Sequence, residues 1–141
     1  MTGVSREETF EISAEKFYAA LVDYASYAEI LTEVDDIKVL ECSETSARIQ
    51  YSINVVKSFS YILKMTHKRP SFLSWELESG SIFKQNSGQW RITPTGPNSC
   101  KVNYNLEVDL KVFAPKIIVN KLVAVNLPRM MQAFYIKGQA L

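Results

Sequence analysis

Few side chains on the apolar phases of this sequence can do acid–base chemistry or polar recognition, and most of those are tyrosines. His67 is the single histidine among 141 residues, alongside 7 Tyr, 2 Trp and 2 Cys. A lone imidazole can act as a general base or orient a ligand head group when it faces a pocket. Near a strand end it more commonly packs with its ring half exposed, and that is the expectation for His67. No Cys or carboxylate cluster stands at ligand spacing around it, so no metal site is expected. No G-x-S-x-G elbow marks a nucleophile and no glycine-rich loop marks a phosphate site. No catalytic residue and no cofactor are therefore assigned. Cys42 and Cys100 lie far apart without a C-x-x-C context and read as reduced, structural thiols of a cytoplasmic protein.

What remains is an aromatic set. Tyr51, Tyr61, Trp75, Trp90 and Tyr104 fall on strand-like segments and are the expected walls of a pocket, although each taken singly also serves as core. Leu63 and Leu106 share the apolar phase of Tyr61 and Tyr104 on their strands. Arg91 alternates with Trp90 and is expected on the wet face. A bulge at Gly88 would reverse that phase and bring Arg91 inward.

The element that must receive these groups is the stretch Ala114 to Gly138. Pro115 suits a first helical position, and Gly138 suits the left-handed turn that ends a helix. On a 3.6-residue wheel Val119, Val123, Leu127, Met130, Met131 and Phe134 make one apolar stripe. Ile118, Leu122 and Val125 make a second, so the first half of the helix is apolar nearly all round and must be covered. Met130 and Met131 suit a wall that adapts to an irregular guest, though filling core gaps is their commoner use. Pro128 removes the hydrogen bond to the Ala124 carbonyl and predicts a bend near Leu127, read as following the curve of a sheet rather than as a hinge.

Ahead of that helix the pattern is mostly of period two. Residues 4–13 alternate as a strand. Ser13 then caps a helix from Ala14 to Asp23, and a second short helix follows from Ala25 to Leu31. Asp36–Ser43, Ala47–Val56, Phe59–Lys68, Phe72–Glu78, Ile82–Pro94 and Cys100–Lys111 read as strands joined by polar turns. The last is the cleanest, with Cys100, Val102, Tyr104, Leu106, Val108 and Leu110 on one face. Polar-out, apolar-in strands joined by short turns predict an antiparallel sheet with one wet face. The expectation is a single α+β domain over residues 1–141, its sheet of about seven strands curved around the long C-terminal helix, with two short helices after strand 1. A concave, aromatic-lined pocket with few polar anchors follows from that packing.

Sixteen Lys and Arg against fifteen Asp and Glu leave a net charge of +1. That gives no basic stripe for nucleic acid and no polybasic patch for anionic lipid. The N-terminus lacks a signal-peptide core, and Asn120, Lys121 and Asn126 interrupt the long helix, so no membrane span is expected.

Several stretches resemble the START-like, helix-grip (SRPBCC) superfamily, and within it the polyketide cyclase/dehydrase and coenzyme-Q-binding branch. They are Asp23-Tyr24-Ala25-Ser26-Tyr27-Ala28-Glu29-Ile30-Leu31, Ile37-Lys38-Val39-Leu40-Glu41, Trp75-Glu76-Leu77-Glu78-Ser79-Gly80 and Gly88-Gln89-Trp90-Arg91-Ile92-Thr93-Pro94. Ala28 and Thr32 stand where that branch usually has proline. The resemblance implies a deep cavity between sheet and helix that holds an apolar small molecule such as a lipid, a quinone or a polyketide-like aromatic. It implies that Tyr24 and Tyr27 border the cavity mouth and that the chain is a monomer rather than a homodimer, the loop with Val112 and Phe113 covering the second stripe. It also allows an aromatase/cyclase-type enzyme using Arg91, His67 or a tyrosine, and a ribosome-associated toxin-like regulator.

Overall fold

The computed structural model describes residues 2–31, 34–54, 58–111 and 127–141. Strand β1 (Thr2–Phe10) leads into helix α1 (Ala14–Val22), a 3₁₀ turn at Tyr24–Ser26 and a short helix α2 (Tyr27–Ile30). Six strands follow: β2 (Val34–Cys42), β3 (Ser46–Asn54), β4 (Ser58–Lys68), β5 (Phe72–Gly80), β6 (Phe83–Gly96) and β7 (Ser99–Leu110). Helix α3 (Leu127–Gln139) closes the order. The seven strands form one antiparallel sheet in the order β1-β7-β6-β5-β4-β3-β2. The chain thus runs from one edge strand to the other and back, and only β1 is placed out of sequence. The α+β architecture is as expected. The stripe positions Val119, Val123, Ile118, Leu122 and Val125, the loop at Val112 and Phe113, and the expected helix before Leu127, against which the bend at Pro128 would be judged, lie outside the described residues.

Alternation decides which face is wet. On β7, Cys100, Val102, Tyr104, Leu106 and Val108 are all buried, as are Ala47, Ile49, Tyr51 and Ile53 on β3. Their neighbours carry the outer face, where Arg48 makes a forked pair with Glu78 through Nε and a terminal nitrogen, each at 2.7 Å. That pair crosses from β3 to β5 over β4, and being exposed it contributes little to stability. Against the inner face lie α1 and α3. Phe17, Ala20 and Leu21 of α1 and Met131 of α3 are fully enclosed. Ser13 caps α1, its hydroxyl accepting from the Lys16 amide at 3.2 Å.

One glycine alternative falls away and one glycine expectation needs correction. Gly88 does not sit in a bulge; it pairs in register with Leu106 of β7 and Trp75 of β5. The register shifts on β6 lie elsewhere, between Phe83 and Gln85 and between Pro94 and Gly96. From Asn86 onward the inward phase runs Asn86, Gly88, Trp90, Ile92, so Arg91 is exposed, its guanidinium 5.4 Å from the centre of the Phe72 ring. Gly88 is needed because a Cβ there would meet the Asn105 carbonyl and come within 2.5 Å of the Trp75 indole. Gly138 does not end the helix in a left-handed turn either; it lies within α3, and Gly80 alone of the described residues has positive φ. A Cβ on Gly138 would stand 2.7 Å from Ile12 Cδ1 and 3.3 Å from the Lys16 carbonyl oxygen, so the bare backbone lets α3 pack closely on α1.

β1 ends at Phe10, sooner than alternation alone predicts, since Ser13 begins the cap of α1. The second short helix is part 3₁₀ and part α. The β5–β6 hairpin is zipped only at its base, where Phe72–Trp75 pair with Gly88–Arg91.

Candidate functional site

The inner face carries a chain of aromatic rings that links the sheet to both helical layers. Tyr61 stacks on Tyr51, its partner across β3 and β4, with centroids 5.2 Å apart and planes 6° from parallel. Tyr51 meets Tyr27 of α2 at 6.2 Å, and Tyr27 meets Phe134 of α3 edge-on at 5.2 Å. Phe134 meets Trp90 at 5.6 Å, Trp90 meets Tyr104 at 4.7 Å, and Tyr104 meets Trp75 at 5.7 Å. Phe83 closes on Tyr61 at 4.9 Å. The path crosses from β3 to β7 by way of the helices, so it bridges the concavity of the sheet.

The core on either side of this path is buried and forms one cluster. Around α1, Phe17, Leu21, Leu73, Cys100 and Val102 are 0% exposed. Across the aromatic region the inward residues run from 1% at Phe83 and Phe134 through 4% at Trp90 to 9% at Trp75, a range that Phe10 and Ile12 beside α1 also enter, at 5% and 6%. Tyr61 and Met130 are half-buried, and Leu63 is buried beside them. Two of the expected cavity residues, Val119 and Val123, lie outside the described residues. The other eleven, Tyr24 and Tyr27 included, are buried or half-buried.

Hydrogen bonding divides the tyrosines. Tyr27 donates its hydroxyl to the Leu21 carbonyl, and Tyr24 is bonded to His67 Nε2 at 2.6 Å. His67 is therefore not the half-exposed strand-end residue expected; it is 6% exposed. Its position in the apolar phase of β4 carries it under the 3₁₀ turn, with Tyr24 stacked against its ring. His67 Nδ1 faces the Ser43 carbonyl at 3.3 Å. A carbonyl only accepts, so Nδ1 bears the proton, Nε2 is bare and the Tyr24 hydroxyl is the donor. Burial holds the imidazole below its usual 6.5, against the opposing pull of backbone hydrogen bonds at Ser43 and Glu44. Burial also pushes the Tyr24 phenol well up. A neutral pair is the result, suited to fixing the corner between α1 and α2.

Asn86 escaped the sequence reading. It is 7% exposed, and its Oδ1 accepts from Trp75 Nε1 at 3.1 Å. The signal was available, because Asn86 shares parity with Trp90, and a polar residue in an apolar phase calls for a buried partner. Cys100 is a buried free thiol and Cys42 an exposed one. Among the described residues no group of three or more His, Cys, Asp or Glu is placed to hold a metal ion. Among them, too, no helix is long and apolar enough to cross a membrane.

A seven-stranded antiparallel sheet gripping a C-terminal helix, with two short helices inserted after the first strand, is the helix-grip arrangement of the START-like superfamily. Within it, residues 10–135 match the family described as polyketide cyclase / dehydrase and lipid transport, and the chain belongs to that family. Among curated protein sequences, none matches. Solved structures of the same fold include the Zhui aromatase/cyclase from Streptomyces sp. R1128, at 13% identity and a TM-score of 0.84 over 98% of this chain and 93% of that one. A START superfamily protein from Mycobacterium smegmatis is similar at 20% identity and a TM-score of 0.81, over 98% and 97% of the two chains. Human STARD10 aligns at 18% identity and a TM-score of 0.76, over 97% of this chain and 63% of its own.

Proposed function

We propose that the chain binds or carries an apolar small molecule on the concave face of its sheet. The ligand class is a lipid, a quinone or a polyketide-like aromatic, held among Tyr51, Tyr61, Leu63, Trp75, Trp90, Tyr104, Leu106 and the α3 side chains Leu127 and Met130. The observation supporting this is the run of rings from Tyr61 through Tyr51, Tyr27, Phe134, Trp90 and Tyr104 to Trp75 across the concave face. A lining of rings with few polar groups suits an apolar guest. Tyr24 and Tyr27 border the site, and Val119 and Val123 complete its expected wall. Both described cysteines are free, which suits a reducing cytoplasm.

The test is native mass spectrometry of freshly purified protein, with solvent extraction of whatever accompanies it. A stoichiometric adduct extractable into organic solvent is expected. Bare protein that also fails to take up added quinone or fatty acid would overturn the reading.

A cyclase-type enzyme is the second reading, and the buried Tyr24–His67 pair is the observation that favours it. It ranks behind binding because Arg91 points outward and His67 already has both ring nitrogens engaged.

A further inference from the structure

The outer, wet face of the sheet carries a groove at the end where β4 turns into β5. Its volume is about 460 Å³, and Lys68, Ser71, Phe72, Arg91, Thr93 and Pro94 line it. Lys68 of β4 pairs with Phe72 of β5, and Phe72 pairs with Arg91 of β6, so the three stand side by side on one rung. Their chain neighbours His67, Leu73 and Ile92 are buried on the inner face, which turns these three outward. The Ile92 amide donates to the Ser71 carbonyl at 2.8 Å, tying β6 to the β4–β5 turn and fixing the floor of the groove. Two strand spacings put the α-carbons of Lys68 and Arg91 about 10 Å apart, within reach of one ion for side chains of that length.

The two cations are uncompensated. Among the described residues neither Lys68 nor Arg91 forms an ion pair. Arg91 lies over the half-buried Phe72 ring, 5.4 Å from its centre. That contact orients the guanidinium and leaves its N–H fork for an oxyanion. The other charges at this end are taken. Arg69 in the turn pairs with Glu15 at 3.2 Å and lies over the Tyr18 ring. Beyond Arg91 the same rung continues through Asn103 to Glu7, and Glu7 is held by Lys101 at 3.4 Å. The Ser71 hydroxyl is only loosely engaged, 3.5 Å from the Lys68 carbonyl oxygen.

We propose that this groove binds a small, soluble phosphate monoester. Lys68 and Arg91 clamp the phosphate from either side of Phe72, Ser71 and Thr93 donate to it, and the organic group rests on Phe72 and Pro94. Two unit positive charges match the charge of roughly −2 on such a phosphate. The groove exceeds the volume of the anion alone, which leaves room for the carbon body. A bilayer surface fits less well, because holding one takes clusters of about four or more cations. The site lies on the opposite face of the sheet from the aromatic run and does not depend on the ligand proposed there.

The test is calorimetric titration of the native protein with phenyl phosphate. A single saturable site is expected, weakened roughly threefold to tenfold by Arg91→Gln or by Lys68→Gln and further by both together. Arg91→Lys keeps the charge but loses the fork, and should recover only part of the affinity. Lys64 is exposed on the same face, about 13 Å further along β4 and outside the groove, so Lys64→Gln should leave affinity unchanged. All four positions of change are on exposed side chains, and the variants should melt as wild type does. Absence of saturable binding up to about 10 mM would overturn the proposal. So would binding that Lys64→Gln weakens as much as Arg91→Gln does, since that is general charge attraction. Phenyl phosphate that displaces a naphthalene dye and ignores both groove substitutions would place the anion on the inner face and overturn the groove. Sedimentation with phosphatidic acid vesicles, by protein that does not bind phenyl phosphate, would assign the cations to a lipid head group and overturn the soluble guest.

Discussion

His67 ties protonation to folding through two hydrogen bonds. Its folded-state pKa lies below 6.5 because burial penalises the cation. The unfolded chain therefore binds more protons than the folded one in the window just below 6.5, and stability rises with pH there. The contribution is full above 6.5, the unfolded value, and is lost as pH falls through the lowered folded value. We expect the urea midpoint to drop between about pH 6.5 and 5, where carboxylates are still ionised. His67→Gln should flatten that drop. Tyr24→Phe leaves Nε2 without its donor and should cost about 1–3 kcal/mol in chemical denaturation. If His67 serves the corner rather than the ligand, His67→Gln should keep affinity for an apolar probe within a few fold. A hundredfold loss would make it a site residue and revive the cyclase reading.

At the scale of elements, two glycines separate stability from function. Gly138→Ala would ordinarily help a helix by up to about 1 kcal/mol. Here the added methyl meets Ile12 Cδ1 and the Lys16 carbonyl, and one of those neighbours is backbone. Overpacking of about 1–3 kcal/mol should win, lowering the melting temperature without altering ligand affinity. Gly88→Ala pushes on the Trp75 indole and should change both stability and binding. The opposite pattern, with Gly138→Ala alone altering affinity, would place the site at the α1–α3 contact.

Element order and the inward phases of β3, β4 and β7 were legible because alternation is enforced wherever one face is buried. What could not be read was set by tertiary contact. Gly88 and Gly138 both suggested backbone conformation, a bulge and a helix stop, whereas each serves close approach by a distant element. His67 showed its apolar phase in the sequence, but its partner lies 43 residues away, across a turn that no local pattern places. Asn86 was missed because the alternative of a bulge at Gly88 left the phase of β6 open.

Considered whole, the molecule packs α1 and α3 against each other and both against Trp90 on the aromatic face of the sheet. Lys137 near the end of α3 reaches Asp23 at the end of α1 at 2.9 Å, and Ser26 bonds the same carboxylate. The Lys137 hydrogen bond holds the Asp23 pKa below its usual 3.8, so this link stabilises the fold above that pH and is lost as pH falls further. Asp23 is well exposed, and Lys137→Ala should cost no more than about 1 kcal/mol. That link fastens the end of α3 to the end of α1. Both tryptophans of the chain, Trp75 and Trp90, belong to the run of rings on the inner face and report on it directly. The decisive measurement is titration of the native protein with an environment-sensitive naphthalene dye while tryptophan emission is recorded. The account predicts saturation near one dye per chain, with tryptophan quenching that tracks occupancy. Binding that does not saturate, or that saturates with tryptophan emission unchanged, would contradict it.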